Sequence, residues 1–192
     1  MKYLNQLEYR HIPYKHNMAA GGPPEGRDNV ATSGCGLCCA AMVIDALTDK
    51  SLSIEECVKL SEENQANLCL GTSMSVLGGI IAEKYGLDYS RTNELSEVIS
   101  HIQRGGAAIV LVGHKEGMAG LFTMRSHYMT LVACDGKEFC ILDPSYTKEK
   151  YEIPERVGRV NTANAPYLYC DVNTVDSEAI ENKYHLFSRK KL

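Results

Sequence analysis

The chain has 192 residues, of which 44% are hydrophobic and 23% are charged, and its formal net charge is -4. This length predicts one domain with a substantial buried core. The absence of a basic excess argues against a nucleic-acid partner. No segment approaches the roughly 18 apolar residues that a membrane span needs, and the first ten residues do not resemble a signal peptide. We therefore expect a cytoplasmic protein without a membrane span, or an exported one if a leader has been removed.

The first half of the chain is expected to be loop and then helix. Residues 1–34 predict a loop region with a short strand-like piece at 11–14 and a Gly/Pro-rich stretch after it. Four helices follow, over about 35–47, 53–63, 73–85 and 94–104. The first is apolar on every side, which indicates a buried helix. Ser53 and Glu56 form a capping box for the second, and Gly86 is a stop for the third.

The second half of the chain changes to the patterns of strands. These are predicted at 107–112, 128–133, 137–142, 167–172 and 184–187. Helices followed by an antiparallel sheet predict an α+β fold rather than an alternating parallel one. We expect a single domain over 1–192, made of the N-terminal loop region (1–34), a helical part (35–104) and a sheet part (107–192).

Cys35 is the first candidate for chemistry. It lies between Gly34 and Gly36, where the predicted buried helix begins. At the N-terminus of a helix, the macrodipole and the free amide hydrogens stabilise a thiolate and lower the pKa of a cysteine. This position therefore predicts a nucleophilic thiol.

Cys35 and Cys38 also have the spacing of a thioredoxin-like redox motif. That motif needs a preceding strand within a βαβ unit, and a Gly/Pro-rich segment stands there instead. The remaining cysteines are dispersed, as expected of small core residues in a reduced compartment. They supply no second close pair of zinc ligands. We expect no metal and no organic cofactor.

A predicted hairpin supplies a base for this thiol. His127 precedes the strand over 128–133, and Asp143 follows the strand over 137–142. A three-residue loop with Gly136 in the left-handed position would pair Leu131 with Phe139 and His127 with Asp143 on one face. A two-residue turn would shift the register by one and place His127 and Asp143 on opposite faces. The apolar pattern of the strands favours the three-residue loop.

Three blocks of the sequence together resemble the papain-like cysteine peptidases. They are SGCGLCCAAMVI around Cys35, SHYMTLV around His127 and ILDP around Asp143. The resemblance is greatest to the double-glycine-leader (bacteriocin-processing) peptidases and their free-standing relatives. It implies a papain-like fold in which N-terminal helices pack on a C-terminal antiparallel sheet.

The resemblance also implies a role for each residue and a peptide or protein substrate. Cys35 would be the nucleophile, His127 the general base and acid, and Asp143 the residue that orients His127. Relatives carry a glutamine upstream of the cysteine that helps to stabilise the oxyanion. Asn17 falls in the corresponding segment here, and Asn29 is a second candidate. His114 is a reserve candidate for the base.

Two other functions remain open at this stage. The first is a catalytically inactive peptidase-like module that binds a peptide. The second is an acyl or peptidyl transferase that uses the same three residues. The sequence does not determine the cleavage specificity or the oligomeric state.

Overall fold

A computed structural model of the chain describes residues 1–15, 28–68, 71–113 and 120–190. A short 3-10 helix spans Gln6–Tyr9. The α-helices of the described part are α1 (Val30–Ser33), α2 (Cys35–Leu47), α3 (Ile54–Glu63), α4 (Met74–Tyr85), α5 (Leu95–Gln103), α6 (Lys148–Glu152) and α7 (Val172–Glu178). Its strands are β1 (Asn67–Leu68), β2 (Gly71–Thr72), β3 (Leu87–Thr92), β4 (Ala107–Gly113), β5 (Ser126–Cys134), β6 (Glu138–Leu142), β7 (Asn161–Asn164), β8 (Tyr167–Asp171) and β9 (Ala179–Arg189).

The main sheet confirms the α+β expectation. Its strands lie in the order β3-β9-β4-β5-β6-β8-β7, and every neighbouring pair is antiparallel. Alternate residues of β4 face opposite sides, because strand side chains alternate. Ile109 belongs to the core cluster that contains α2, α3 and α4. Val110 belongs to a second core cluster with residues of α5 and α7. The helices therefore cover both faces of the sheet.

The four predicted helices are confirmed, with small differences at their ends. The Ser53 side chain caps α3 by accepting a hydrogen bond from the Glu56 backbone N–H at 3.1 Å. Gly86 ends α4 with a φ of 73°, in the left-handed region that favours glycine. None of the helices in the described ranges has the length and apolar character needed to cross a membrane.

The N-terminal half contains more structure than the sequence predicts. The 1–34 region includes the 3-10 helix and α1, and its strand-like piece forms only an isolated bridge between Pro13 and Asn29. The 35–104 part also contributes β3, which pairs with β9 at one edge of the sheet. β3 was missed because only its first residue, Leu87, is fully buried and its sequence is mostly polar. The helices α6 and α7 within the sheet part were also missed.

The predicted register of the β5–β6 hairpin is wrong. Cys134 pairs with Phe139 across a four-residue loop, and Val132 forms a bulge, so Leu131 pairs with Ile141 rather than with Phe139. Asp135 explains the longer loop, because its side chain accepts hydrogen bonds from two backbone N–H groups across the turn, at 2.7 and 2.8 Å. The shift at Leu131 is two residues, and an even shift keeps each side chain on its original face. His127 and Asp143 therefore still meet, although Asp143 lies just beyond the end of β6.

Candidate active site

Cys35 is the first residue of α2, directly after the short helix α1. Gly34 joins the two helices, and the turn there is tight: a Cβ atom on Gly34 would lie 2.6 Å from the carbonyl oxygen of Val30. The Cys35 side chain is partly exposed, whereas the following residues of α2 are buried. Burial raises the pKa of the Cys35 thiol, but the hydrogen bond and charge of His127 and the backbone N–H groups of Tyr128 and Gly36 outweigh it. The pKa of Cys35 is therefore lowered.

His127 lies near the start of β5 and is only 5% exposed. Its Nε2 donates a hydrogen bond of 2.7 Å to Oδ1 of Asp143, which leaves Nδ1 as the ring nitrogen that can reach Cys35. Burial and the Lys150 ammonium lower the pKa of His127. The charge and hydrogen bond of Asp143 and the hydrogen bond to Cys35 raise it and prevail. The two shifts together favour a thiolate–imidazolium pair.

Asp143 is fully buried and receives donors on both of its oxygens. Oδ1 accepts from His127 and from the backbone N–H of Ser145 at 2.9 Å. Oδ2 accepts from Lys150 Nζ at 2.5 Å and from the Tyr151 hydroxyl at 2.6 Å. Burial alone would raise the pKa of Asp143, but Lys150 and His127 hold it well below its usual range. The carboxylate is therefore ionised and fixed in position.

A cavity of about 610 Å³ opens in front of these residues. Cys35, His127 and Ser145 line it, together with Gln6 and Arg125. A cavity of this volume lies within the range of small-molecule pockets. Cys35 is thus accessible from this cavity, while Asp143 is buried behind the imidazole ring.

The structure places the other predicted residues differently. Asn17, predicted to supply the oxyanion donor, and His114, the reserve base, both lie outside the described residues. Asn29 precedes α1, and its side chain oxygen accepts a long hydrogen bond of 3.5 Å from Thr32. Cys38 is fully buried, and burial raises the pKa of its thiol well above the usual value. No strand precedes Cys35 directly, so the context of a redox motif is missing there.

Gln6 is a site residue that the sequence analysis missed. It is 6% exposed, and its Nε2 donates to the carbonyl oxygen of Ala31 at 2.8 Å. Its Oε1 is buried without a hydrogen-bond partner among the described residues. Gln6 is the only glutamine before Cys35 in the sequence, and that signal could have found it.

Lys150, Tyr151 and Ser145 were missed as well, and no sequence motif marks them. Among the residues that the structure describes, no cluster of histidine, cysteine, aspartate and glutamate could hold a metal ion.

Several solved structures share this fold, and two of them are peptidases. One is the peptidase domain of Streptococcus ComA, a bi-functional ABC transporter involved in a quorum sensing pathway. It is 16% identical, with a TM-score of 0.53 over 92% of this chain and 99% of that chain. The other, a putative C39-like peptidase from Bacillus anthracis, is 10% identical, with a TM-score of 0.54 over the whole of both chains. The fold is therefore that of the C39 papain-like peptidases.

The sequence comparison gives the family itself. The model of the Peptidase_C39 like family matches residues 2–169, which is most of the chain. The chain therefore belongs to the C39-like peptidase family. No curated protein matches it.

Proposed function

We propose that the protein is a cysteine peptidase that cleaves a peptide or amide bond through Cys35, His127 and Asp143. The observation that carries the proposal is the sealed hydrogen bond between His127 and Asp143 behind a partly exposed thiol at a helix N-terminus. A nucleophile, a base and an orienting group in this arrangement are the requirements of thiol catalysis. Membership of the family supports the same reaction class.

The reaction follows from the protonation states of the pair. The Cys35 thiolate attacks the carbonyl carbon, and the carbonyl oxygen becomes an oxyanion. The His127 imidazolium gives its proton to the leaving amine as the carbon–nitrogen bond breaks, which leaves a thioester on Cys35. Neutral His127 then takes a proton from water, the hydroxide displaces the thiolate, and a carboxylic acid is released. Asp143 stays ionised throughout and holds the imidazole ring in place.

The oxyanion would be stabilised at the start of α2. The first backbone N–H groups of a helix have no partner within it, and the macrodipole favours negative charge there. We assign the side-chain donor to Gln6, since its Nε2 has a second hydrogen beyond the one given to Ala31 and the residue lines the same cavity. Asn17, the donor expected from the sequence, lies outside the described residues and stays a prediction.

Cleavage of a peptide library tests the proposal. The wild-type protein is expected to generate new peptide termini, detected by mass spectrometry, and Cys35→Ser is expected to generate none. Cys134→Ser is the matched control, because Cys134 is a partly exposed cysteine on the hairpin at the far end of β5. The proposal is wrong if the two variants cleave equally well.

The same experiment separates the two alternatives. If the wild-type protein binds peptides of the library but cleaves none, the inactive peptide-binding module is favoured. If an added amine acceptor is captured in place of water, the thioester is transferred rather than hydrolysed, and the protein is a transferase. The hydrolase and the transferase use the same three residues and differ only in the molecule that accepts the acyl group from the thioester.

A further inference from the structure

The Asp143 carboxylate is shared between two cations. His127 contacts Oδ1 at 2.7 Å, and the Lys150 ammonium contacts Oδ2 at 2.5 Å. Ser145 joins the two sides: its Oγ lies 3.1 Å from His127 Nε2 and accepts a hydrogen bond of 2.8 Å from Lys150. Tyr151 completes the cluster on Oδ2. A closed network therefore connects the lysine to the imidazole ring.

Helix α6 holds Lys150 in this position. The Thr147 side chain caps the helix by accepting from the Lys150 backbone N–H at 3.2 Å. Arg156 donates to the Lys150 carbonyl oxygen at 3.1 Å and to the Gly120 carbonyl oxygen at 3.1 Å. The Lys150 side chain is only 13% exposed. A lysine that is buried to this extent needs a counterion, and Asp143 is that counterion.

We propose that Lys150 is a positioning residue for the Cys35–His127 pair. Its charge, acting through Asp143 and Ser145, moves to lower pH the range in which Cys35 is a thiolate and His127 is an imidazolium. It touches neither the substrate nor the reacting atoms. The proposal rests on the assignment of Cys35 and His127 as the reacting pair. Lys150 would thus be a second cation, beside the His127 imidazolium, that acts on the three residues proposed to carry out catalysis.

Several other groups face the pair from the surrounding elements. After burial, the charge of Lys150 has the largest effect on the pKa of Asp143. Tyr3 donates to the Asp143 backbone oxygen at 2.6 Å and carries no charge near neutral pH. Among the described residues, the other titratable and charged groups around the pair are Tyr3, Tyr14, Cys38, Cys39, Arg125, Tyr128, Tyr151 and Arg156.

The direction of the effect follows from Coulomb's law. The two contacts of Ser145 place the Lys150 ammonium no more than about 6 Å from His127 Nε2. A positive charge there disfavours the imidazolium and so lowers the pKa of His127, and it favours the Cys35 thiolate. Removal of the charge should therefore raise both pKa values. At the effective dielectric constant of protein sites, the shift at His127 is roughly one to two pH units.

Alkylation of Cys35 by iodoacetate tests this without any peptide substrate. The anion reacts with the thiolate and is attracted by the imidazolium, so the rate against pH is expected to be bell-shaped. The modified Cys35 peptide is quantified by mass spectrometry. In Lys150→Met and Lys150→Gln, both limbs of the bell are expected at higher pH, the alkaline limb by about one unit or more. Lys150→Arg retains the charge and is expected to keep the wild-type profile.

Lys148→Met is the matched control. Lys148 lies on the same helix, but its side chain is 78% exposed and pairs with Glu152. Its profile is expected to match that of the wild type. The proposal is overturned if a folded neutral variant keeps the wild-type limbs, or if Lys150→Arg shifts as the neutral variants do. Failure of both neutral variants to fold would assign Lys150 to folding alone and would also overturn it. If the alkylation rate of Cys35 in the wild-type protein is not bell-shaped against pH, the assignment of Cys35 and His127 as the reacting pair is refuted, and the proposed function with it.

Discussion

The buried contact between Asp143 and Lys150 predicts a large and coupled effect on stability. Asp143→Asn keeps the shape of the side chain and removes its charge. Lys150, whose side chain is 13% exposed, then loses the counterion that lies 2.5 Å away. Breaking one side of a buried ion pair costs about 3–5 kcal/mol, because the other charge is left uncompensated. That is a large part of the stability of a typical domain, about 5–15 kcal/mol.

The double variant Asp143→Asn/Lys150→Met separates the charge effect from the loss of packing. With both charges gone, we expect it to be more stable than the sum of the two single changes by about 1 kcal/mol or more. Urea unfolding, followed by circular dichroism at pH 7, gives the free energy of unfolding of the wild type, the two single variants and the double variant. Glu152→Gln is the control, since its contact with Lys148 at 3.5 Å is exposed and should leave the midpoint nearly unchanged. Additive single effects, or an Asp143→Asn variant as stable as the control, would refute the reasoning.

The ion pair between Asp143 and Lys150 also makes the free energy of unfolding depend on pH. The pKa of Asp143 is lowered in the folded protein, so its contribution to stability is complete above the ordinary carboxyl pKa of about 4. It is lost progressively as the pH falls below that value towards the folded pKa. Asp143 also raises the pKa of His127 in the folded protein, and Asp143→Asn removes that effect. The stability gap between wild type and Asp143→Asn should therefore widen as the pH falls from 7 through the ordinary histidine pKa of about 6.5, and narrow below about pH 4 as the Asp143 carboxylate is protonated.

Two further predictions concern Gln6 and the adjacent glycines of α4. Gln6→Ala removes the assigned oxyanion donor, and we expect kcat to fall about a hundredfold or more with KM little changed; steady-state kinetics that show equal kcat would exclude that role. Gly78→Ala would place a Cβ atom 2.6 Å from the Tyr89 ring, which is fixed by its hydrogen bond to His185, whereas Gly79→Ala meets nothing closer than 4.0 Å. We expect a loss of about 1–3 kcal/mol for the first and a gain of about 0.5–1 kcal/mol for the second in thermal or urea unfolding, and equal effects would contradict this.

Much of the fold was predictable because its signals are local. A continuous apolar run marked α2, a capping serine marked α3 and a glycine in the left-handed region ended α4. β3 has no such signal, since it is an edge strand that becomes a strand only by pairing with β9, about a hundred residues away in the sequence. Gly78 is informative only in retrospect: it leaves room for Tyr89 of that strand.

The candidate site likewise combines residues that the sequence marks with residues that only the three-dimensional structure reveals. Cys35 could be predicted as a candidate nucleophile because a helix start acts on the thiol of its own first residue. His127 and Asp143 could be predicted as its candidate partners because one hairpin carries both. The two-residue error in register did not separate them, since the period of a strand is two. Lys150 lies only seven residues after Asp143, but its role depends on how the short helix α6 places its ammonium against the buried carboxylate. A lysine in a polar sequence segment normally indicates a solvated surface, and only the depth of the carboxylate that it contacts gives this one a distinct role.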